Sequence, residues 1–201
     1  SVRTSGTLIR SLPSASPARA SSVASSTDPL ISCATRLSPV WNNMSWWILP
    51  TTADIGLRAF CADAPGAMSE AAIGLQSIQL SPKGTDSAAS LPKTNDEWTV
   101  EFSGDDLERG LVRWLEEVLY RGSAEGQWLC ESELVVADGR IVAQVSWADA
   151  DMIEREVEVK AITLHELALI EVAEGEVIPG VDSDIPSFEG PGWMAQVVFD
   201  I

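Results

Sequence analysis

The chain has 201 residues, 45% of them apolar, and a formal net charge of −17. That length suffices for one ordinary domain whose core needs no disulfide staples. So acidic a chain repels phosphate backbones, which are bound through Lys/Arg clusters, and this argues against tight direct nucleic-acid binding. No apolar run reaches the ~18–20 residues that span a bilayer, so a membrane partner is not expected.

Three cysteines, Cys33, Cys61 and Cys130, form no CxxC pair. An odd, scattered set predicts packed thiols in a reducing compartment rather than a disulfide framework. The charge is unevenly spread. Residues 1–43 hold four Arg and one Asp, a net +3, which leaves −20 on the remainder. Divalent cations and basic protein surfaces are the partners that such a body attracts.

Residues 1–43 are rich in Ser and Pro and show no apolar period. They have little to bury and are set aside as an N-terminal extension. Their Arg-rich, acid-poor make-up suits an organellar transit peptide. An upstream translated segment fits equally, since the first Met is Met44. The expected compartment is the cytoplasm, or an organelle if the stretch is a transit peptide. The domain proper is read as 44–201.

From Trp46 apolar clusters flank a polar knot, "PTTADIG", and Leu57–Ala62 reads as a strand. Asp63 or Ala64 caps a following helix, Pro65 suits its first turn, and Ala67, Ala71, Leu75 and Ile78 recur at helical spacing. Residues 81–95 read as a loop. Trp98, Val100 and Phe102 alternate with polar residues, as in a half-buried strand. A helix follows, with Leu107, Leu111, Leu115 and Leu119 four apart, acids Asp105 and Asp106 at its start and Gly122 at its end. "LVVADGRIVAQV" is a hairpin turning on Asp138-Gly139, which accept positive φ. Val157, Val159 and Ala161 alternate with Glu158 and Lys160 as further strand. Residues 175–192 are a turn-rich loop, and "WMAQVVFDI" closes the chain as a strand. Late hairpins with two main helices predict an α+β fold, with a mixed, largely antiparallel sheet and the helices packed on it.

The chemistry is sparse. There is one histidine, His165. Zinc spacing, a GxSxG elbow, a Walker loop and GxGxxG are all missing. Asp105 and Asp106 are explained by capping, and Asp149 and Asp151 as surface charge. Asp182 and Asp184 fail the calcium-loop spacing. Asp54 differs, because it sits in a tight connection at a strand's mouth. Asp200 also differs, because a strand ends beside it and the Ile201 carboxylate is held close. Anions so near repel unless a cation lies between them, and hard oxygen donors suit Mg²⁺ or Ca²⁺. A well-hydrated, exposed chain end is the competing reading.

"TTADIGLRAF", "GDDLERGLVRWLEEVLY", "VEVKAITLHEL" and "GWMAQVVFDI", in this order and spacing, resemble the archease family over about residues 44–201. That resemblance implies a small acidic α+β protein that is not itself an enzyme. It implies a protein cofactor of an RtcB-type RNA ligase in tRNA splicing, promoting guanylylation by GTP and multiple turnover. Some family members are linked to RNA methyltransferases as modulators. The family's metal ligands fall on Asp54, Asp200 and the terminal carboxylate of Ile201, with calcium the first expectation and magnesium or manganese the alternatives. Lys160 and His165 match an accompanying run and are carried as auxiliary residues. One departure stands out. The family motif reads E-H-T-A-D, whereas Pro50 and Thr51 stand here in place of Glu and His. Two other functions fit the residues: a chaperone-like modulator of RNA-modifying enzymes, and a stand-alone metal-dependent hydrolase.

Overall fold

The structure is a computed structural model that describes residues 45–51, 54–181 and 185–201. The N-terminal extension, Cys33, Asp182 and Asp184 lie outside the described residues. Two antiparallel sheets and two long helices share one core. The first sheet has the order β1 (Trp46–Leu49), β2 (Ile55–Cys61), β9 (Gly192–Asp200), β6 (Ala161–Val172). The second runs β3 (Thr94–Glu101), β5 (Arg140–Asp149), β4 (Gln127–Ala137). The expected α+β class is therefore found, with the sheet divided in two.

Helix α1 (Ala64–Gln79) packs against β2 and β9 of one sheet and β4 of the other. Asp63 caps it, accepting from Gly66 N at 2.8 Å, which frees Ala64 to be the first helical residue. Its buried face is built from small residues: Ala67, Ala71 and Ala72 are fully buried beside Met68 and Leu75. Small side chains let the sheet approach closely. A Cβ on Gly74 would stand 2.3 Å from Leu57 Cδ1.

Helix α3 (Leu107–Ala124) is capped by Asp106, which accepts from Arg109 N at 3.1 Å. Leu111, Trp114, Leu115 and Val118 are all fully buried, at the i, i+3, i+4, i+7 spacing of a single apolar stripe. Trp114 meets Trp98 of β3 with ring centroids 6.2 Å apart. On the rim, Arg121 lies 5.1 Å over the Trp98 ring and donates to Glu117 at 2.7 Å. The helix runs two residues past Gly122, because Gly122 is buried within the α3 face and is not the cap.

The hairpin β4–β5 forms as the sequence specifies. Asp138 (φ 52°) and Gly139 (φ 69°) both take the left-handed conformation of a two-residue turn. A Cβ on Gly139 would lie 2.9 Å from the Phe102 carbonyl oxygen. Gly139→Ala is therefore expected to cost about 1–2 kcal/mol, the penalty of a left-handed L residue. Thermal unfolding checks it; an unchanged Tm counts against the turn assignment.

Four expectations need correction. Residues 81–95 are not a plain loop, since Pro82–Ser90 form helix α2. Glu154 holds that helix: Ser81 N donates to its carbonyl at 3.2 Å, and Ser81 Oγ and Lys83 Nζ reach its carboxylate, both at 2.9 Å. Gly84 seats α2 there, since a Cβ would stand 2.0 Å from the Glu154 oxygen. Residues 175–192 include a small ribbon, β7 (Val177–Ile178) with β8 (Phe188–Glu189), whose Phe188 stacks on Phe60 at 4.5 Å. The strand expected through Val157 and Val159 starts only at Ala161, because residues 157–160 belong to no ladder. Finally, Cys130 is a half-buried free thiol, but Cys61 is disulfide-bonded. Scattered spacing carries no information on which cysteines a fold brings together.

Candidate functional site

The register of β2 on β9 pairs Ile55 with Phe199. Asp54 precedes β2 and Asp200 ends β9, so both stand at the same end of the first sheet. Leu57, Ala59, Val197 and Phe199 point into the core, so by strand alternation Asp200 lies on the other face. Both acids are exposed. On the far side of β9, Ala161 pairs with Asp200, and Lys160 N donates to the Asp200 carbonyl at 2.9 Å. The Lys160 ammonium donates to an Ile201 main-chain oxygen at 2.9 Å. The connection before β2 is tied back by Thr51, whose hydroxyl donates to the Asp54 carbonyl.

Of the five residues singled out, the fold thus gathers Asp54, Asp200, Ile201 and Lys160 at one end of the first sheet. His165 is placed elsewhere. It lies in the irregular stretch of β6 between Thr163 and Ala168, is 78% exposed at its side chain, and stands 3.7 Å from Glu166. Glu166 there has φ 53°, which turns the strand locally.

Carboxylates gathered at one sheet end repel, and a cation relieves such repulsion. The donors are hard oxygens, which match Ca²⁺ or Mg²⁺ in kind. Among the described residues no group of three or more His, Cys, Asp or Glu side chains gathers to hold a metal ion. Asp54 and Asp200 supply two such side chains, and any further protein oxygen has to come from the main chain. Two of the other acids have structural roles: Asp106 caps α3, and Asp149 caps a 3-10 turn by accepting from Asp151 N at 3.0 Å.

One acid away from this end is perturbed. Burial pushes the Glu70 carboxyl above the usual carboxylate range, opposed in part by the hydrogen bond from Ser45. A raised folded value means that the native state holds the proton more tightly. Its contribution to stability is fully present below the unfolded value and is lost as pH rises through the folded one. Glu70→Gln is expected to raise Tm at pH 7 by a few degrees, roughly 1 kcal/mol, with the gain vanishing at low pH. A Tm difference independent of pH would contradict that.

Residues 46–201 match the model of the Archease protein family (MTH1598/TM1083). The chain belongs to the archease family. A Protein archease of Pyrococcus furiosus is 26% identical over 162 residues, covering 78% of this chain and 98% of that one. A Protein archease of Saccharolobus islandicus is 30% identical over 131 residues, covering 63% of this chain and 89% of that one. The solution structure of Methanobacterium thermoautotrophicum protein 1598 aligns at 18% identity and a TM-score of 0.49, covering 79% of this chain and 99% of that one. The archease match spans all of the elements described above, including the sheet end that carries Asp54 and Asp200.

Proposed function

We propose that this archease-family protein is an accessory protein of an RtcB-type RNA ligase, promoting its guanylylation by GTP and its repeated turnover in RNA joining. It is not itself the catalyst. The observation that supports the reading is that Asp54, just before β2, and Asp200, at the end of β9, are exposed at the same end of the first sheet. Those carboxylates, with a main-chain oxygen of Ile201, would hold a divalent cation, calcium first and magnesium or manganese next. Bound there, such an ion would supply positive charge to neutralise phosphate oxygens during nucleotidyl transfer.

The chain's own residues do the rest. Thr51 fixes the Asp54 connection through its hydroxyl. Lys160 holds Ile201 beside Asp200 and supplies a positive charge that limits repulsion between the acids. The exposure of the pair lets it approach a partner's active site, and the net charge of −17 favours basic protein surfaces over RNA. A multiple-turnover RNA ligation assay with the ligase of the same source tests this. The expected result is more ligated product per ligase molecule and faster guanylylation when the protein is added. Equal multiple-turnover yield and equal guanylylation rate with and without it, at every ratio, would overturn the proposal.

A further inference from the structure

The second sheet ends on an open edge. In the order β3-β5-β4, β3 pairs with β5, and no strand among the described residues lies on its other side. The ladder fixes which main-chain groups face that side. Ala137 and Arg140 pair across the two-residue turn, so the Arg140 main chain is directed to β4 and that of Ile141 to β3. Ile141 pairs with Val100. Two residues on, Phe102 N donates to the Gly139 carbonyl at 2.8 Å, in the same phase. Val100, Trp98, Asp96 and Thr94 therefore direct their main-chain groups to β5. Asn95, Glu97, Thr99 and Glu101 alternate with them and direct theirs to the free edge. Glu97 N agrees with this phase, since it donates to the neighbouring Asp96 Oδ1 at 2.8 Å. Such a row of outward groups, all on one side of a strand, is a template for another strand.

Charge decides which strand. Asn95, Glu97, Thr99 and Glu101 are exposed, and their side chains lie on the solvent face, opposite the buried Trp98 and Val100. The sequence of β3, "TNDEWTVE", holds Asp96, Glu97 and Glu101 and no Lys or Arg. The cations nearby are engaged: Lys93 pairs with Glu131, and Arg140 with Glu101 at 3.2 Å. Asp96 and Glu97 form no ion pair among the described residues. The unanswered charge of the edge is therefore negative. A second copy of β3 would bring its own acids and no cation, and like charges across a strand pair destabilise it. The same acids favour a strand that carries Lys or Arg.

We infer that β3 accepts, by strand addition, an extended segment of a protein partner with Lys or Arg at alternate positions. Main-chain bonds to Asn95, Glu97, Thr99 and Glu101 give the affinity, as in other edge-strand complexes. Partner side chains opposite these residues share their solvent face, so a basic one there meets Glu97. A partner carbonyl takes Glu97 N from the Asp96 carboxylate, which leaves that carboxylate for a second cation. The inference goes beyond the function proposed above and does not rest on it. The acids Asp54 and Asp200 belong to the first sheet, and this edge belongs to the second.

The test uses the full chain and a blocked seven-residue peptide alternating lysine and valine. Amide exchange should slow at Glu97, Thr99 and Glu101 when the peptide is added. Trp98 and Val100, already bonded to β5, should change little. A glutamate–valine peptide should protect none of them. Thr99→Pro removes an outward N–H at an edge position, where proline is tolerated, and should weaken peptide binding about tenfold. Glu97→Lys should weaken it as well, with a loss that shrinks at high salt. Far-UV circular dichroism and Tm establish that both variants are folded. If Thr99→Pro unfolds, the exchange pattern and Glu97→Lys decide. No protection, protection at another strand edge, equal protection by the glutamate–valine peptide, or equal binding by both folded variants would overturn the inference. Protection of these amides that grows with protein concentration in the absence of peptide would also overturn it, because the edge would then pair with a second copy.

Discussion

Asp200→Asn is expected to reduce ligase stimulation by at least about tenfold, the lower end of what disturbing a metal site costs. The same change should leave the protein folded. Asp200 is exposed at the end of β9, and no side-chain hydrogen bond or ion pair is made by it among the described residues. Replacing one of the two acids at this sheet end also lowers the like charge there. The metal-free variant should therefore melt at the same temperature as the unaltered chain, or slightly higher. The difference appears when a cation is added. An ion that binds only the native state raises Tm according to its concentration and affinity. Calcium, magnesium and manganese titrations should stabilise the unaltered chain and not Asp200→Asn. Asp54→Asn should behave likewise, and the double variant should lose little more, because residues acting as one unit are not additive. Equal metal-induced shifts in the unaltered chain and both single variants would rule out this end as the cation site.

Trp114→Ala should give the largest loss of stability, about 3–5 kcal/mol. Trp114 is fully buried on α3 and packs against the equally buried Trp98. Its indole nitrogen has no hydrogen-bond partner among the described residues, so the substitution breaks no polar contact. The loss is that of a large apolar group and the cavity it leaves. Trp114→Phe keeps much of that volume and should cost less than half as much. Urea unfolding measures both, with the slope held constant if only stability has changed. A cost under about 1 kcal/mol for Trp114→Ala would mean that α3 is not packed on β3 as described.

What was legible in the sequence is what local rules enforce. Helix α3 combines a four-residue apolar repeat with a capping acid, and both act within the helix itself. The β4–β5 turn follows from Asp138-Gly139, since few other pairs accept two positive φ angles. Asp63 as the α1 cap and Asp106 as the α3 cap follow in the same way. Helix α2 was not legible. "PKGTDSAAS" has a loop's composition, and its helix depends on Glu154, distant in the chain, to anchor Ser81 and Lys83. Residues 157–160 show the opposite failure. Their alternation is that of a strand, but no strand among the described residues pairs with them, and a strand exists only through its neighbours.

The sequence by itself determined the α+β class, the two long helices, the hairpin and the acids worth watching, because periodicity, capping and turn chemistry are properties of nearby residues. It also carried the archease motifs. Only the tertiary structure decided that Asp54 and Asp200 share one end of the first sheet and that Lys160 reaches Ile201, while His165 lies in the irregular stretch of β6. Those facts depend on strand register, which is set by how Leu57, Ala59, Val197 and Phe199 pack beneath the helices. A shift of one residue would turn every one of these side chains to the opposite face. Local propensity does not encode that choice; the shared core does.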